Sequence, residues 1–372
     1  MNFKVKAAIT ASACTLFLSS VVIAAPEVSF SGYLDADGWA DFTGKYFTNT
    51  ELDLGLTAKF SDAVSAHVYV TANGIYSTMT DESGFLRTSG AGSIPAGYGV
   101  PDERWLTMNF DGFDITYTSP FGTFAVGDIV YQYGKFNYYI YKRKSMITTE
   151  SFSRGFKYSV GSDKFTQDLQ IGIADIDMYT ADVNGASTIN ISESQSVGIF
   201  YGVRGSSQLK FKEGSTIFAG LEYNGSFVDA FSLKLDVGYN SIAGEERTNL
   251  TTILIEPSLS LGSFTVAATA FIGLDGVDSV NVTADHLGIG DEMFFYVEPG
   301  YSFNDYLGIG LPLEYHNPNI DIEKDGSFWV VPTFYIYPIE NVQWWIWGQV
   351  VKYVEKDVDN AYGFGSEIIV TF

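Results

Sequence analysis

The sequence predicts an all-β fold: a transmembrane, antiparallel, up-and-down β-barrel of about 16 strands, within a range of about 16–18. Three observations point there. Segment after segment alternates apolar and polar residues with period two, as strands with two unlike faces do. The connections between these segments alternate short and long, as when tight turns line one rim of a barrel and longer loops the other. Beyond residue 24 no run reaches the roughly 18 apolar residues of a membrane helix, although 46% of the chain is hydrophobic and 16% aromatic. A barrel hides its membrane signal in this way, because half of each strand faces a polar interior.

The first residues read as a signal peptide. Lys4 and Lys6 form a short basic region, an apolar run interrupted by Thr and Ser follows to Ile23, and Ala24 offers a small-residue exit. The competing reading, a membrane anchor, asks for a longer unbroken run. The domain division is therefore 1–24 as signal peptide and 25–372 as one barrel domain. Without residues 1–24 the chain keeps 348 residues and no cysteine, with 19 Lys and Arg against 44 Asp and Glu, a formal charge of −25. A secreted chain without disulfides needs another constraint, and a closed ladder of strands supplies one. Nucleic acid is excluded as a partner by so acidic a balance.

In Glu51 to Phe60 one face reads Leu52, Leu54, Leu56, Ala58, Phe60 and the other Glu51, Asp53, Gly55, Thr57, Lys59. After Ser61-Asp62-Ala63 the pattern returns, with Val64, Ala66, Val68, Val70 opposite Ser65, His67, Tyr69, Thr71, so the two segments form a hairpin. Phe231 to Asn240 and Phe264 to Gly273 alternate likewise. A Lys or Arg on the polar face would cost roughly 2–4 kcal/mol at mid-membrane, so those faces meet water in a lumen. Longer stretches lie near 77–103, 132–150, 177–193, 241–249, 275–290, 317–326 and 354–359. Glu256-Pro257, Glu298-Pro299 and Val331-Pro332 place proline inside strands, where it marks a bulge or edge. Asp81-Glu82, Glu245-Glu246, Asp291-Glu292 and Glu355 to Asp359 read as acidic, solvated loops. Their spacing matches no calcium loop, and neither a metal site nor a cofactor is expected.

The last segment, Ala361 to Phe372, alternates Tyr362, Phe364, Ile368, Val370 and Phe372 against Ala361, Gly363, Gly365, Glu367 and Thr371, with Ser366 and Ile369 as misfits. A closing strand of this kind, ending on Phe, resembles that of bacterial outer-membrane β-barrel proteins. Phe121 to Asp128 (F-G-T-F-A-V-G-D) resembles a turn-strand phrase of general porins. The resemblance implies a location in the bacterial outer membrane, with lipid and lipopolysaccharide as surroundings. It implies Phe372 as the signal read by the assembly machinery and a homotrimer as the assembled state. The function it implies is passive diffusion of ions and small hydrophilic solutes, sugars among them.

Two sets of residues are candidates for setting passage. Lys135, Lys142, Arg143, Lys144, Arg154 and Lys157 reverse the sign of an acidic chain and interleave with Tyr138, Tyr139 and Tyr141. In general porins the third long loop folds inward, and this is the third long loop here. Two readings stand: a pore constriction, or a basic surface patch touching lipopolysaccharide phosphates. The second set is acidic and lumen-facing: Glu51, Asp53, Asp236, Glu256, Glu298 and Glu367. No nucleophile elbow, H-E-x-x-H or phosphate loop occurs, and of the three histidines only His67 sits on a well-defined polar face, so no enzyme is expected. The alternative function is a structural or adhesive surface protein whose loops bind polysaccharide.

Overall fold

A computed structural model of the chain describes residues 26–42, 44, 46–77, 105–140, 150–175, 180–205, 215–228, 230–242, 248–274, 291–321 and 326–372. The segment 1–24, read from the sequence as a signal peptide, lies outside them, as do Tyr141, Lys142, Arg143 and Lys144. Twenty ladder segments follow in order: β1 (Glu27–Asp41), β2 (Tyr46–Lys59), β3 (Val64–Ser77), β4 (Trp105–Ser119), β5 (Gly122–Gln132), β6 (Glu150–Ser162) and β7 (Phe165–Asp175). Then come β8 (Thr180–Ser192), β9 (Gln195–Arg204), β10 (Thr216–Val228), β11 (Phe231–Ile242), β12 (Thr248–Leu261), β13 (Phe264–Leu274) and β14 (Met293–Asn304). The last are β15 (Leu307–Gly310), β16 (Leu313–Asn317), β17 (Ser327–Val330), β18 (Thr333–Ile339), β19 (Val342–Tyr353) and β20 (Ala361–Thr371).

Each segment pairs antiparallel with its neighbours, and β1 pairs with both β2 and β20, so the sheet closes on itself. β15 with β16, and β17 with β18, are single crossings broken at Leu311-Pro312 and Val331-Pro332. The twenty segments thus make eighteen crossings among the described residues. The two breaks lie side by side, with the Val331 amide donating to the Pro312 carbonyl at 2.9 Å. The expected bulges at the prolines do not occur: register runs unshifted past Pro257 and Pro299, and Pro332 splits its strand instead. A bulge does lie at Gly112, whose φ of 138° suits glycine alone, where β3 and β4 slip by one residue.

Eighteen crossings lie at the upper end of the expected range of about 16–18. The stretch 177–193, read as a loop, is mostly β8, which pairs with β9 in unshifted register from Asp182 to Asn190. Its outward positions include Gly185 and Ser187, so its alternation carries too little hydrophobic contrast to be seen.

The outer wall is apolar. Leu54, Leu221, Val237, Ile253, Ile255 and Ile346 all point away from the lumen and stay well exposed, which only an apolar surround tolerates over a whole barrel. Phe372 closes this wall. Its amide donates to the Gly32 carbonyl at 3.0 Å, the Gly32 amide donates to its carbonyl at 2.7 Å, and its ring lies where a Cβ on residue 32 would stand. Inside, a second apolar body fills part of the lumen: Phe200, Phe218, Leu254, Phe271, Phe294 and Trp329 are buried on inward faces. Of the three tryptophans on β19, Trp345 and Trp347 face inward, paired with Tyr335 and Thr333, while Trp344 faces out.

Candidate functional site: a strap across the lumen

After Gln132 the chain leaves the wall and crosses the bore. Residues 133–140 run from β5 toward β12, β13, β14 and β16. Nine crossings separate β5 from β14, half of eighteen, so the segment reaches the diametrically opposite wall. Its anchors are specific. Asn137 donates from its backbone amide to Glu256 Oε1 and from Nδ2 to Glu256 Oε2, both at 2.8 Å. The Thr269 hydroxyl shares its one proton between the Tyr138 carbonyl at 2.8 Å and Glu256 Oε1 at 3.0 Å. The Ile140 amide donates to Glu314 and Lys234 Nζ to the Lys135 carbonyl.

Aromatic rings supply the rest. Phe136 is 1% exposed, edge-on to Phe271 at 4.9 Å and to Phe294 at 5.3 Å. Tyr133 stacks on Phe200 at 5.8 Å, and burial pushes its phenol pKa up. Tyr138 lies parallel to Tyr296 at 6.4 Å. An apolar side chain that would be misplaced in an open aqueous lumen is here the pin of the strap.

The strap divides the lumen into unlike halves. Toward β6–β11 the charges are paired: Arg204 binds Asp182 from Nε at 2.9 Å and from Nη2 at 3.1 Å, Lys157 lies 3.6 Å from Asp168, and Lys234 lies 3.3 Å from Asp236. A cavity of about 350 Å³ opens beside Lys157, Gln170 and Asn184. Another, of about 390 Å³, lies beside the strap and the turns after β8 and β10, lined by hydroxyls and amides such as Ser192, Ser196, Asn224 and Ser226. Toward β20 and β1–β4 the wall is acidic. Asp35 and Glu51 face each other in register, as do Asp37 and Glu367, with Asp53 and Asp111 sharing the hydroxyl of Thr71. Among the described residues the ion pairs of this wall are His67 Nδ1 with Asp114 Oδ1 at 2.8 Å and, at its exposed turn, Lys59 Nζ with Asp62 Oδ1 at 2.8 Å.

The residues singled out in the sequence fall in different places. Lys135, Tyr138 and Tyr139 are on the strap, Lys135 exposed and Tyr139 against the inner apolar body. Glu51, Asp53, Asp236, Glu298 and Glu367 face the lumen, and Glu256 is the strap's main anchor. Two placements are corrections. Arg154 shares parity with Phe156 on β6 and points outward, where it grips Asp128 with Nε at 2.6 Å and Nη2 at 3.0 Å. Asp128 also accepts the Phe113 amide, filling the bulge at Gly112, so Arg154 belongs to the outer wall. Asp291 and Glu292 are buried rather than solvated, Glu292 lying 3.2 Å from His316 Nε2. Asn137, Thr269 and Glu314 were not foreseen. Glu256 and Asn137 are 119 residues apart and Glu314 and Ile140 are 174 apart, and no local pattern announces such a contact.

No protein-family model matches this chain, and no curated protein does. Solved structures do. The chain superposes on Acinetobacter baumannii OccAB3 with a TM-score of 0.60 at 11% identity, covering 93% of this chain and 99% of that one. The outer membrane protein OpdK from Pseudomonas aeruginosa, solved with vanillate, gives 0.61 at 9% identity over 93% and 98%. A BenF-like porin from Pseudomonas fluorescens gives 0.60 at 9% identity over 93% and 98%. The chain therefore has the fold of a bacterial outer-membrane porin: a closed antiparallel barrel with a bilayer-facing apolar exterior and a polar bore.

Proposed function

We propose that the protein is a passive diffusion channel in which the strap sets the size limit, the acidic half carries cations and the half with paired charges admits small neutral hydroxylated solutes. The observation that carries this reading is the asymmetry across the strap. Toward β6–β11 the lumenal Lys157, Arg204 and Lys234 each lie against a carboxylate; from β20 through β4 the described carboxylates outnumber the cations, which are His67 beside Asp114 and Lys59 beside Asp62 at the turn after β2. Surplus carboxylates in a confined bore raise the local cation concentration and repel anions. The hydroxyl- and amide-lined cavity beside the strap suits uncharged polyols, which hydrogen-bond to both. A location in lipopolysaccharide-bearing membrane and a trimeric assembly belong to the same reading.

Liposome swelling tests it. Vesicles carrying the refolded barrel should swell in small neutral sugars and in ammonium salts, at rates that fall steeply with solute size. Vesicles with demonstrably folded protein that swell no faster than empty ones would end the channel reading.

A further inference from the structure

Beside the strap the wall holds an arrangement that size sieving does not use. Glu298 points inward from β14 and is half-buried. The Tyr296 hydroxyl donates to its Oε2 and the Tyr335 hydroxyl, from β18, to its Oε1. No Lys, Arg or His pairs with Glu298 among the described residues. Phenols are neutral donors, so they fix the carboxylate in place and leave its charge standing.

Aromatic faces surround it. Tyr335 stands edge-on to Trp345, ring centres 5.6 Å apart at 89°. Tyr296 lies parallel to Tyr138 of the strap at 9°. Gly310 sits directly against the carboxylate and the Tyr335 ring, and a Cβ there would meet both. A fixed anion framed by aromatic rings is the arrangement that favours an organic cation: the charge meets the carboxylate and the C–H or N–H surface meets the ring faces. A divalent metal ion would need six or more hard oxygens, and one carboxylate with two phenols does not provide them.

We propose that Glu298, Tyr296, Tyr335, Trp345 and the strap's Tyr138 form a lumenal subsite for organic cations, namely the alkylammonium or guanidinium groups of small solutes. The site rests on the channel reading and gives it a substrate class. Because Tyr138 is one of its panels, the site is complete only while the strap is docked. It also opens onto the acidic wall: Trp345 faces Glu367 in register, and Glu367 faces Asp37. Going round the wall through β15, β18 and β19, a cation leaving Glu298 reaches Glu367 on β20, four strands on.

Choline chloride, added to one side of a bilayer holding the refolded protein at constant KCl, is the probe. Wild type should show concentration-dependent current blockades. Glu298→Gln should shorten them about tenfold, and Tyr335→Leu severalfold, each read against that variant's own open-channel current. Blockades unaltered by both substitutions, or none in a conducting wild type, would overturn the subsite and leave the channel standing. Should the folded barrel carry no current, the channel reading fails, and calorimetric titration of choline into the detergent-folded protein still decides the site. Heat of binding lost in Glu298→Gln supports it, and no heat in wild type rejects it.

Discussion

Glu256→Ala should turn a quiet channel into a flickering one. Glu256 is 2% exposed and accepts two bonds from Asn137 at 2.8 Å and one from Thr269 at 3.0 Å, with the Tyr138 amide at 3.4 Å. A hydrogen bond to a charged acceptor contributes about 1.5–3 kcal/mol net. Water entering the vacated space would satisfy part of the loss, so about 3 kcal/mol of anchoring disappears. At about 1.4 kcal/mol per decade, the undocked strap becomes roughly a hundredfold more populated. The lock of Phe136 between Phe271 and Phe294, and the Ile140–Glu314 bond, remain, so the strap should detach and return rather than leave for good. Single-channel recording should show brief excursions to a higher conductance. Glu256→Gln, which removes the charge but keeps one carbonyl acceptor, should flicker less and so separates anchoring from electrostatics. A heat-modifiable gel shift verifies the barrel in both variants. A Glu256→Ala trace as quiet as wild type, at the same conductance, would refute the strap as the constriction.

Three further outcomes follow from the geometry. Gly32→Leu places side-chain atoms where the Phe372 ring lies and should lower stability by about 1–3 kcal/mol through overpacking of the seam, read as a lower urea midpoint, with Gly32→Ala less affected. Arg154→Leu leaves Asp128 charged and uncompensated on the outer wall. The loss should be about 2 kcal/mol, discounted from a fully buried pair because the Arg154 side chain is 55% exposed, and adding Asp128→Asn should recover most of it. Glu51→Gln with Asp53→Asn removes two carboxylates from the acidic wall and should move the reversal potential in a salt gradient toward zero with little change in urea midpoint; an unchanged potential would mean that passage runs elsewhere.

Much of this barrel is written in period two. β11 and β13 are unmistakable because their outward rows are apolar over long runs, Phe231 to Tyr239 and Phe264 to Ile272. β8 is not, because Gly185 and Ser187 stand in its outward row. Ile369 breaks the alternation of β20, yet it is buried facing inward opposite Asp35 and Gln343. A lumen that already holds apolar rings tolerates it. The basic, aromatic stretch at 135–157 is conspicuous in the sequence, but grouping its charges by proximity merges two faces: Ser153 and Lys157 turn inward and Arg154 outward. The strap itself is a long-range event. Its aromatics are legible, whereas its anchors on β12, β13 and β16 are ordinary lumen residues until the opposite wall comes within reach.

The current carried by the refolded barrel in a planar bilayer under a KCl gradient tests the channel most directly. Stable conductance steps with a reversal potential of the sign for cation preference are the predicted result. Anion preference would contradict the acidic half as the path, and a folded barrel that passes no current would contradict the channel itself.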